Sequence, residues 1–425
     1  MHHRPPTLHI TTLGCSKNLF DSERLAAALN GRYPLTHSTE LQVADIVILN
    51  TCGFIDRAKR ESVQAIFDYI DAKKAGQVKA LYVVGCLVSR DPETLQQELP
   101  DVDGFFPHGA FEQLVETLQG DLRRYLLGER ARSGYPHHAY LKISEGCNRQ
   151  CAFCAIPLMR GSHVSRPIED ILTEAQRLLA EGVKEISLIA QDLTFYGLDR
   201  YGKRQLPLLL EKLATLPGMG WVRLHYAYPA GFPTDILPII RDYEPLCKYL
   251  DMPLQHISDR ILRAMRRGLT KKRTIELLEK IRSTVPGIVL RSTFIVGFPS
   301  ETDNDFQELL DFLRDYRIER VGAFLYSHEE GTAAYQLNDD VPKRVKKARY
   351  DALMTQQQSV SLAFNQSLIG KTLPILVDER AGDAVIGRTP YDALEVDNLV
   401  HVPDPHKRLA VGEFHRVRVV DAAEY

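Results

Sequence analysis

The sequence has no run of apolar residues close to the roughly 20 that a membrane span needs. Its first ten residues also lack the apolar stretch of a secretory leader, so a cytoplasmic protein is expected. Net charge is scarce, at -2 for 425 residues, which denies the chain as a whole the basic footprint of a nucleic-acid binder. Cysteine is sparse too, with seven in all. In a reducing compartment these are read as ligands, catalytic groups or core residues rather than disulfides. The apolar and charged fractions, 44% and 25%, are those of a globular protein, and the length calls for two or three domains.

An alternation of strand-like and helical stretches fills the first hundred residues. Leu8 to Leu13, Asp45 to Leu49 and Ala80 to Val84 are short apolar strands, with helical stretches at Ser22 to Leu29 and Ala58 to Ala72, the latter spaced on Val63, Ile66, Phe67 and Ile70. Such alternation implies a parallel sheet flanked by helices. A cysteine follows each strand: Cys15 after Gly14, Cys52 after Thr51, and Cys86 after Gly85. Each alone would be read as a small core residue. Three at one repeat spacing would instead meet at the carboxyl edge of the sheet, where open α/β sheets bind ligands.

Residues 119–132 read as a linker. Over 133–358, strand-like runs recur at Ala139 to Ile143, Glu185 to Ala190, Val222 to Ala227, Tyr249 to Leu254, Val289 to Val296 and Arg320 to Tyr326, with helical stretches between them. Six such units suggest a partial (βα)6 barrel of TIM type, with chemistry on the loops that follow the strands. Pro342 to Gln366 reads as a long connecting helix. Residues 360–425 carry short alternating runs that describe a small antiparallel β-barrel.

The strongest local signal is Cys147-x3-Cys151-x2-Cys154, directly after a strand. Three thiolates in one loop can hold three corners of a 4Fe-4S cluster and leave one iron open for a small molecule. A zinc knuckle is the plain alternative, but zinc wants four ligands in recognisable pairs, and no second pair lies nearby. The seventh cysteine, Cys247, reads as core filler.

The loop, with Phe153 before its third cysteine, resembles the signature of the radical S-adenosylmethionine superfamily. That resemblance implies a cluster on Cys147, Cys151 and Cys154 whose open iron binds S-adenosylmethionine and yields a 5'-deoxyadenosyl radical. Strand-end residues would contact the cofactor, which makes Gln191, Gln255, Arg291 and Gly297 candidates. The order of modules is similar to that of the methylthiotransferases, in which a domain spanning 6–118 here would hold a second 4Fe-4S cluster on Cys15, Cys52 and Cys86, and 360–425 would be a TRAM domain.

Within that family, Leu13-Gly14-Cys15-Ser16-Lys17-Asn18, Asp21-Ser22-Glu23 and Leu254-Gln255-His256 look like the branch that modifies one aspartate of the twelfth protein of the small ribosomal subunit. Residues 360–425 hold ten acidic against seven basic side chains, a balance suited to a basic ribosomal protein rather than an RNA backbone. The expected partners are therefore that protein and a reductant such as a flavodoxin-type donor, with nucleic acid not a direct substrate. Two other readings stand beside it, a transfer-RNA methylthiotransferase and a non-catalytic protein that uses metal for folding.

Overall fold

Apolar, β-branched runs bounded by glycine build the first sheet. In the computed structural model, which describes residues 4–424, its strands are β1 (Leu8–Thr12), β2 (Leu35–Ser38), β3 (Ile46–Thr51), β4 (Ala80–Gly85) and β5 (Gly104–Pro107). They pair in the order β2-β1-β3-β4-β5, all parallel. The three central strands are those expected from the sequence. The two edge strands were not, because Leu-Thr-His-Ser is short and polar and Gly-Phe-Phe-Pro carries residues that sheet interiors exclude.

Helices α1 (Ser16–Leu29) and α2 (Asp56–Lys74) complete the crossovers. On α2 the buried face is Ala65, Ile66, Tyr69 and Ile70. Phe67, expected on that face, is 47% exposed, since one residue further along turns the side chain by about 100°. Residues 119–132 pack rather than hang free. Tyr125 is buried under Arg24, and the buried Arg130 bridges Glu23 and Glu174 at 2.5 and 3.0 Å.

A second parallel sheet follows. Its strands are β6 (His138–Lys142), β9 (Glu185–Ile189), β10 (Trp221–Leu224), β11 (Leu246–Asp251), β12 (Val289–Val296) and β13 (Arg320–Leu325). They run in chain order from one edge, β6, to the other, β13, as an open part-barrel of six strands does. Between β6 and β9 lies a two-residue ribbon, β7 (Ser144–Glu145) against β8 (Val164–Ser165). The largest core cluster fills the space between this sheet and its helices, with Leu141, Leu188, Leu224 and Leu250 at its centre.

The long helix Lys343–Gln366 leads to an antiparallel sheet of β14 (Thr372–Ala381), β15 (Ala384–Arg388), β16 (Val400–Pro403) and β17 (Phe414–Arg418), ordered β16-β15-β14-β17. A register shift between Val377 and Glu379 bends β14, as bulges do. This module closes the amino-terminal floor of the part-barrel. Glu185 at the start of β9 accepts from Arg223 at 2.7 Å and from Arg388 of β15 at 2.6 Å. Asp392 receives Arg320 at 2.7 Å. Cys247 is buried beside Trp221, Tyr249 and Leu376 at this junction, in the core role expected of it. No described helix is long and apolar enough to cross a membrane.

Candidate functional site

Parallel crossovers bring the three early cysteines to one edge. A Cβ built on Gly14 would lie 2.8 Å from Cys52 Cβ, and one on Gly53 would lie 2.9 Å from the Cys86 carbonyl oxygen. The Cys15, Cys52 and Cys86 loops therefore touch in sequence. Gly14 has φ +94, a conformation that only glycine adopts without cost. Asn18 clasps the loops: its amide donates to Leu13 O at 2.8 Å and to Thr51 O at 3.0 Å, and its Oδ1 lies 3.6 Å from Cys86 Sγ. Ser62 of α2 holds Cys52, accepting from its N–H at 3.0 Å and donating to its carbonyl at 2.9 Å.

The second triplet sits in the loop tied at its base by the β7–β8 ribbon. Cys147 N–H donates to Gly161 O at 3.1 Å. Gly146 has φ +76, and a Cβ there would lie 2.7 Å from Gly161 O and 2.6 Å from Ser162 C. Gly146→Ala is accordingly expected to lose about 2–4 kcal/mol of local stability. Iron bound per chain after anaerobic reconstitution, read beside a thermal melt, checks this, and wild-type values in both would refute it. Cys151 Sγ accepts from Arg267 at 3.1 Å and lies 3.6 Å from the Tyr228 hydroxyl. Arg149 and Arg267 both stack on Tyr228.

A buried ionic hub joins the two triplets. Arg160 lies on the short helix just beyond Cys154. It donates to Cys86 Sγ at 3.2 Å, to Asn18 Oδ1 at 2.5 Å, to Asp21 at 2.8 Å and to Glu145 at 3.2 Å. Lys142, at the end of β6, donates to the same two carboxylates at 2.6 and 2.7 Å. Burial alone would push the Asp21 carboxyl up, but Lys142 and Arg160 outweigh it and hold Asp21 below the ordinary carboxylate range; Glu145 lies well below it for the same reasons. Asp21, His108 and Glu145 come close enough to suggest a cation site, yet the two resident cations already occupy the carboxylates. Neither Arg160 nor Lys142 stood out in the sequence. The only local signal is that each lies beside a cysteine loop.

Burial pushes the Cys52 and Cys154 thiols up to about 12 and the Cys147 thiol to about 11, with neighbouring cysteines adding to each shift. Such thiols ionise when a metal displaces their protons. Among the described residues, neither triplet brings its three sulfurs within 4.8 Å of one another. One zinc ion, with Zn–S bonds of about 2.3 Å, would need them that close. The sulfurs on the corners of a cubane cluster stand further apart than that, so this spacing tells against a single ion and leaves three thiolates in each set to hold a cluster.

The expected cofactor residues fall in different places. Gln191 follows β9 and donates to Glu145 Oε1, while its own Oε1 is buried without a partner. Gln255 lies beyond β11 with φ +75 and bridges to Phe294 through its backbone. Both are at the carboxyl rim, on the side of the Cys147 loop. Gly297 ends β12, and its N–H donates to Glu301 at 2.7 Å. A Cβ there would lie 2.9 Å from Lys346 Cδ, so the passing lysine stem already accounts for the glycine. Arg291 is the third residue of β12, below the rim, and faces Asp251 at 3.3 Å and Asp397 of the terminal module at 3.4 Å.

The acidic balance of residues 360–425 is not expressed at the surface. Asp378, Asp392, Asp397 and Asp404 are engaged internally with Arg388, Arg320, Tyr249 and Arg380. Setting those four aside, with the Arg388 and Arg380 of this module that they hold, leaves six acidic and five basic side chains. The charge argument for a basic partner therefore fails, and any choice of substrate rests on other grounds.

Three family models match the chain: Radical SAM superfamily over residues 141–313, Uncharacterized protein family UPF0004 over 7–107, and TRAM domain over 369–425. The chain is 47% identical to the ribosomal protein uS12 methylthiotransferase RimO of Flavobacterium johnsoniae, covering 98% of this chain and 96% of that protein. It is also 47% identical to the RimO of Chloroherpeton thalassium, covering 100% and 98%. Among solved structures, the radical S-adenosylmethionine methyltransferase TsrM of Kitasatospora setae superposes with a TM-score of 0.58 at 13% identity, covering 94% of this chain and 86% of that one. The cobalamin-dependent radical enzyme OxsB gives 0.54 at 14% identity, covering 84% and 56%; both likenesses concern the fold alone. Identity of this depth along nearly the whole length, with all three matched regions in order, places the chain in the ribosomal protein uS12 methylthiotransferase RimO family of radical SAM enzymes.

Proposed function

We propose that the protein adds a methylthio group to the β-carbon of one aspartate of ribosomal protein uS12, in the cytoplasm, with electrons from a flavodoxin-type donor. The observation that carries this reading is the 47% identity, along nearly the whole chain, to proteins named for uS12; its two-centre chemistry is supported by the hub of Arg160, Asp21, Lys142 and Glu145. It joins two cysteine triplets from separate sheets across one buried interface. In this reading residues 6–118 hold one centre, 133–358 the other, 119–132 connects them, and 360–425 closes the barrel floor.

Cys147, Cys151 and Cys154 would hold one 4Fe-4S cluster and Cys15, Cys52 and Cys86 a second, together supplying reductive cleavage of S-adenosylmethionine and a site for the transferred sulfur. The chain's own groups then position and screen. Arg267 and the Tyr228 hydroxyl hold the Cys151 sulfur, Asn18 and Ser62 fix the opposite loops, and Arg160 lies against Cys86 so that both centres keep one spacing. Gln191, with an unpartnered Oε1 at the rim, is suited to orient the methionine amino group, which donates hydrogen bonds. Gln255 would face the nucleoside. Gly297 and Arg291 would act less directly, Gly297 by letting Lys346 pass and Arg291 by tying the floor to the wall.

The deciding experiment incubates the reconstituted enzyme with S-adenosylmethionine, a reductant and either a uS12 peptide or transfer RNA. Mass gain of one methylthio group on the peptide aspartate is expected. Mass gain on the RNA alone would sink the reading in favour of a transfer-RNA enzyme.

A further inference from the structure

Three lysines are buried in this protein, and two are ion-paired: Lys142 with Asp21 and Glu145, and Lys346 with Asp339. Lys17 is only 8% exposed, yet among the described residues its ammonium meets no carboxylate and no other acceptor. The ammonium lies over the Tyr226 ring, whose centroid is 3.2 Å away, and the His225 ring stands 5.9 Å from that ring. A ring face attracts a cation, but supplies neither the hydrogen bonds nor the countercharge of a carboxylate, so the ammonium keeps its donors free toward the small opening that reaches it. Helix geometry opposes the residue. Lys17 lies in the first turn of α1, where the macrodipole disfavours positive charge, no acidic residue in that turn offsets it, and Asp21 one turn on is taken by Lys142 and Arg160. A cation kept against the helix dipole and without an acceptor of its own marks a place prepared for an anion.

Its position says which anion. Lys17 is two residues beyond Cys15. Tyr226 stands past the carboxyl end of β10, and Tyr228, two residues on, reaches Cys151 Sγ at 3.6 Å. Lys17 thus follows a cysteine of one triplet and rests on the strand-end segment that reaches a cysteine of the other, where a group being modified would meet both. The Tyr226 backbone is held there with φ +65, donating to Asp251 and accepting from Leu193 at 3.2 Å.

We propose that Lys17 receives the side-chain carboxylate of the aspartate being modified, a role that rests on the uS12 reading above. Tyr226 backs the ammonium, and the amino end of α1 adds a second source of positive potential. The aspartate is thereby oriented with its β-carbon turned toward the radical side. The rival occupant is the negative charge of the neighbouring centre on Cys15, Cys52 and Cys86.

A double-mutant cycle on the reconstituted full-length enzyme tests this, using Lys17→Gln and Lys17→Arg with uS12 peptides carrying Asp or Asn at the target position. Lys17→Gln should weaken Kd for the Asp peptide on the order of 100-fold. The Asn peptide should bind wild type about as weakly, and the two changes together should add little. Lys17→Arg should recover much of the loss. Iron content and peptide-free 5'-deoxyadenosine formation should match wild type, which separates a binding role from a folding defect. Additive losses, or an Asp preference left intact by Lys17→Gln, would overturn the inference in favour of the rival. Wild type that modifies transfer RNA and binds neither peptide would overturn the uS12 reading first, and this inference with it.

Discussion

Cys52→Ala is expected to abolish methylthio transfer while leaving cleavage of S-adenosylmethionine in place; Cys151→Ala is expected to abolish both. The two residues belong to separate donor sets. Cys52 sits on a loop held by Ser62 and Asn18 through backbone contacts that an alanine keeps, so the fold should survive. Each substitution should lower bound iron from about eight to about four per chain. Transfer should fall by roughly a thousandfold or more in either variant, because a cluster with two thiolates is not retained. The readouts are iron analysis, 5'-deoxyadenosine formation without peptide, and peptide mass. Transfer at wild-type rates by Cys52→Ala would remove the early triplet from the reaction, and 5'-deoxyadenosine from Cys151→Ala would remove the loop at 147–154 from its assigned role.

The gathering of the cysteines into two triplets was legible in the sequence because spacing encodes it. Cys147, Cys151 and Cys154 share one loop, and Cys15, Cys52 and Cys86 each end a strand of a repeating unit, so a parallel sheet had to gather them. The six barrel strands were legible for the same reason, each being an apolar run of ordinary strand length. What spacing does not carry is pairing across the chain. Arg160 meets Asp21 from 139 positions away, and Arg388 meets Glu185 from 203 away; neither has a local pattern. The acidic count of the terminal module misled for this reason: Asp392 and Asp397 are charges in the sequence but buried partners of Arg320, Tyr249 and Arg291 in the fold. The edge strands β2 and β5 escaped because edges tolerate polar residues, glycine and proline, and so carry the weakest strand signature.

Glu185→Ala should destabilise the protein by about 3–5 kcal/mol, the usual cost of stranding one side of a buried ion pair. Glu185, Arg223 and Arg388 are all fully buried. Arg388 would keep Asp378 at 2.7 Å, but Arg223 would be left with the carbonyl oxygens of Pro390 and Thr389. The dependence on pH follows from the same contacts. Burial would raise the Glu185 carboxyl, but Arg223 and Arg388 overcome it and depress it far below its unfolded value of about 4.3. A depressed carboxyl contributes stability that is complete above the unfolded pKa and is lost as pH falls toward the folded one. The deficit of Glu185→Ala should therefore be constant from pH 8 to about pH 6 and shrink in acid, as the wild type loses what the variant already lacks. Trp221, the only tryptophan, lies 4.8 Å from Phe414 of the terminal module, so its fluorescence during anaerobic urea unfolding reports the junction itself. An early Trp221 transition in the variant, ahead of loss of cluster absorbance, is the expected signature of the terminal module leaving the barrel floor. Coincident, unshifted transitions would mean that packing of Trp221, Cys247 and Leu376 holds the floor closed without the ion pairs.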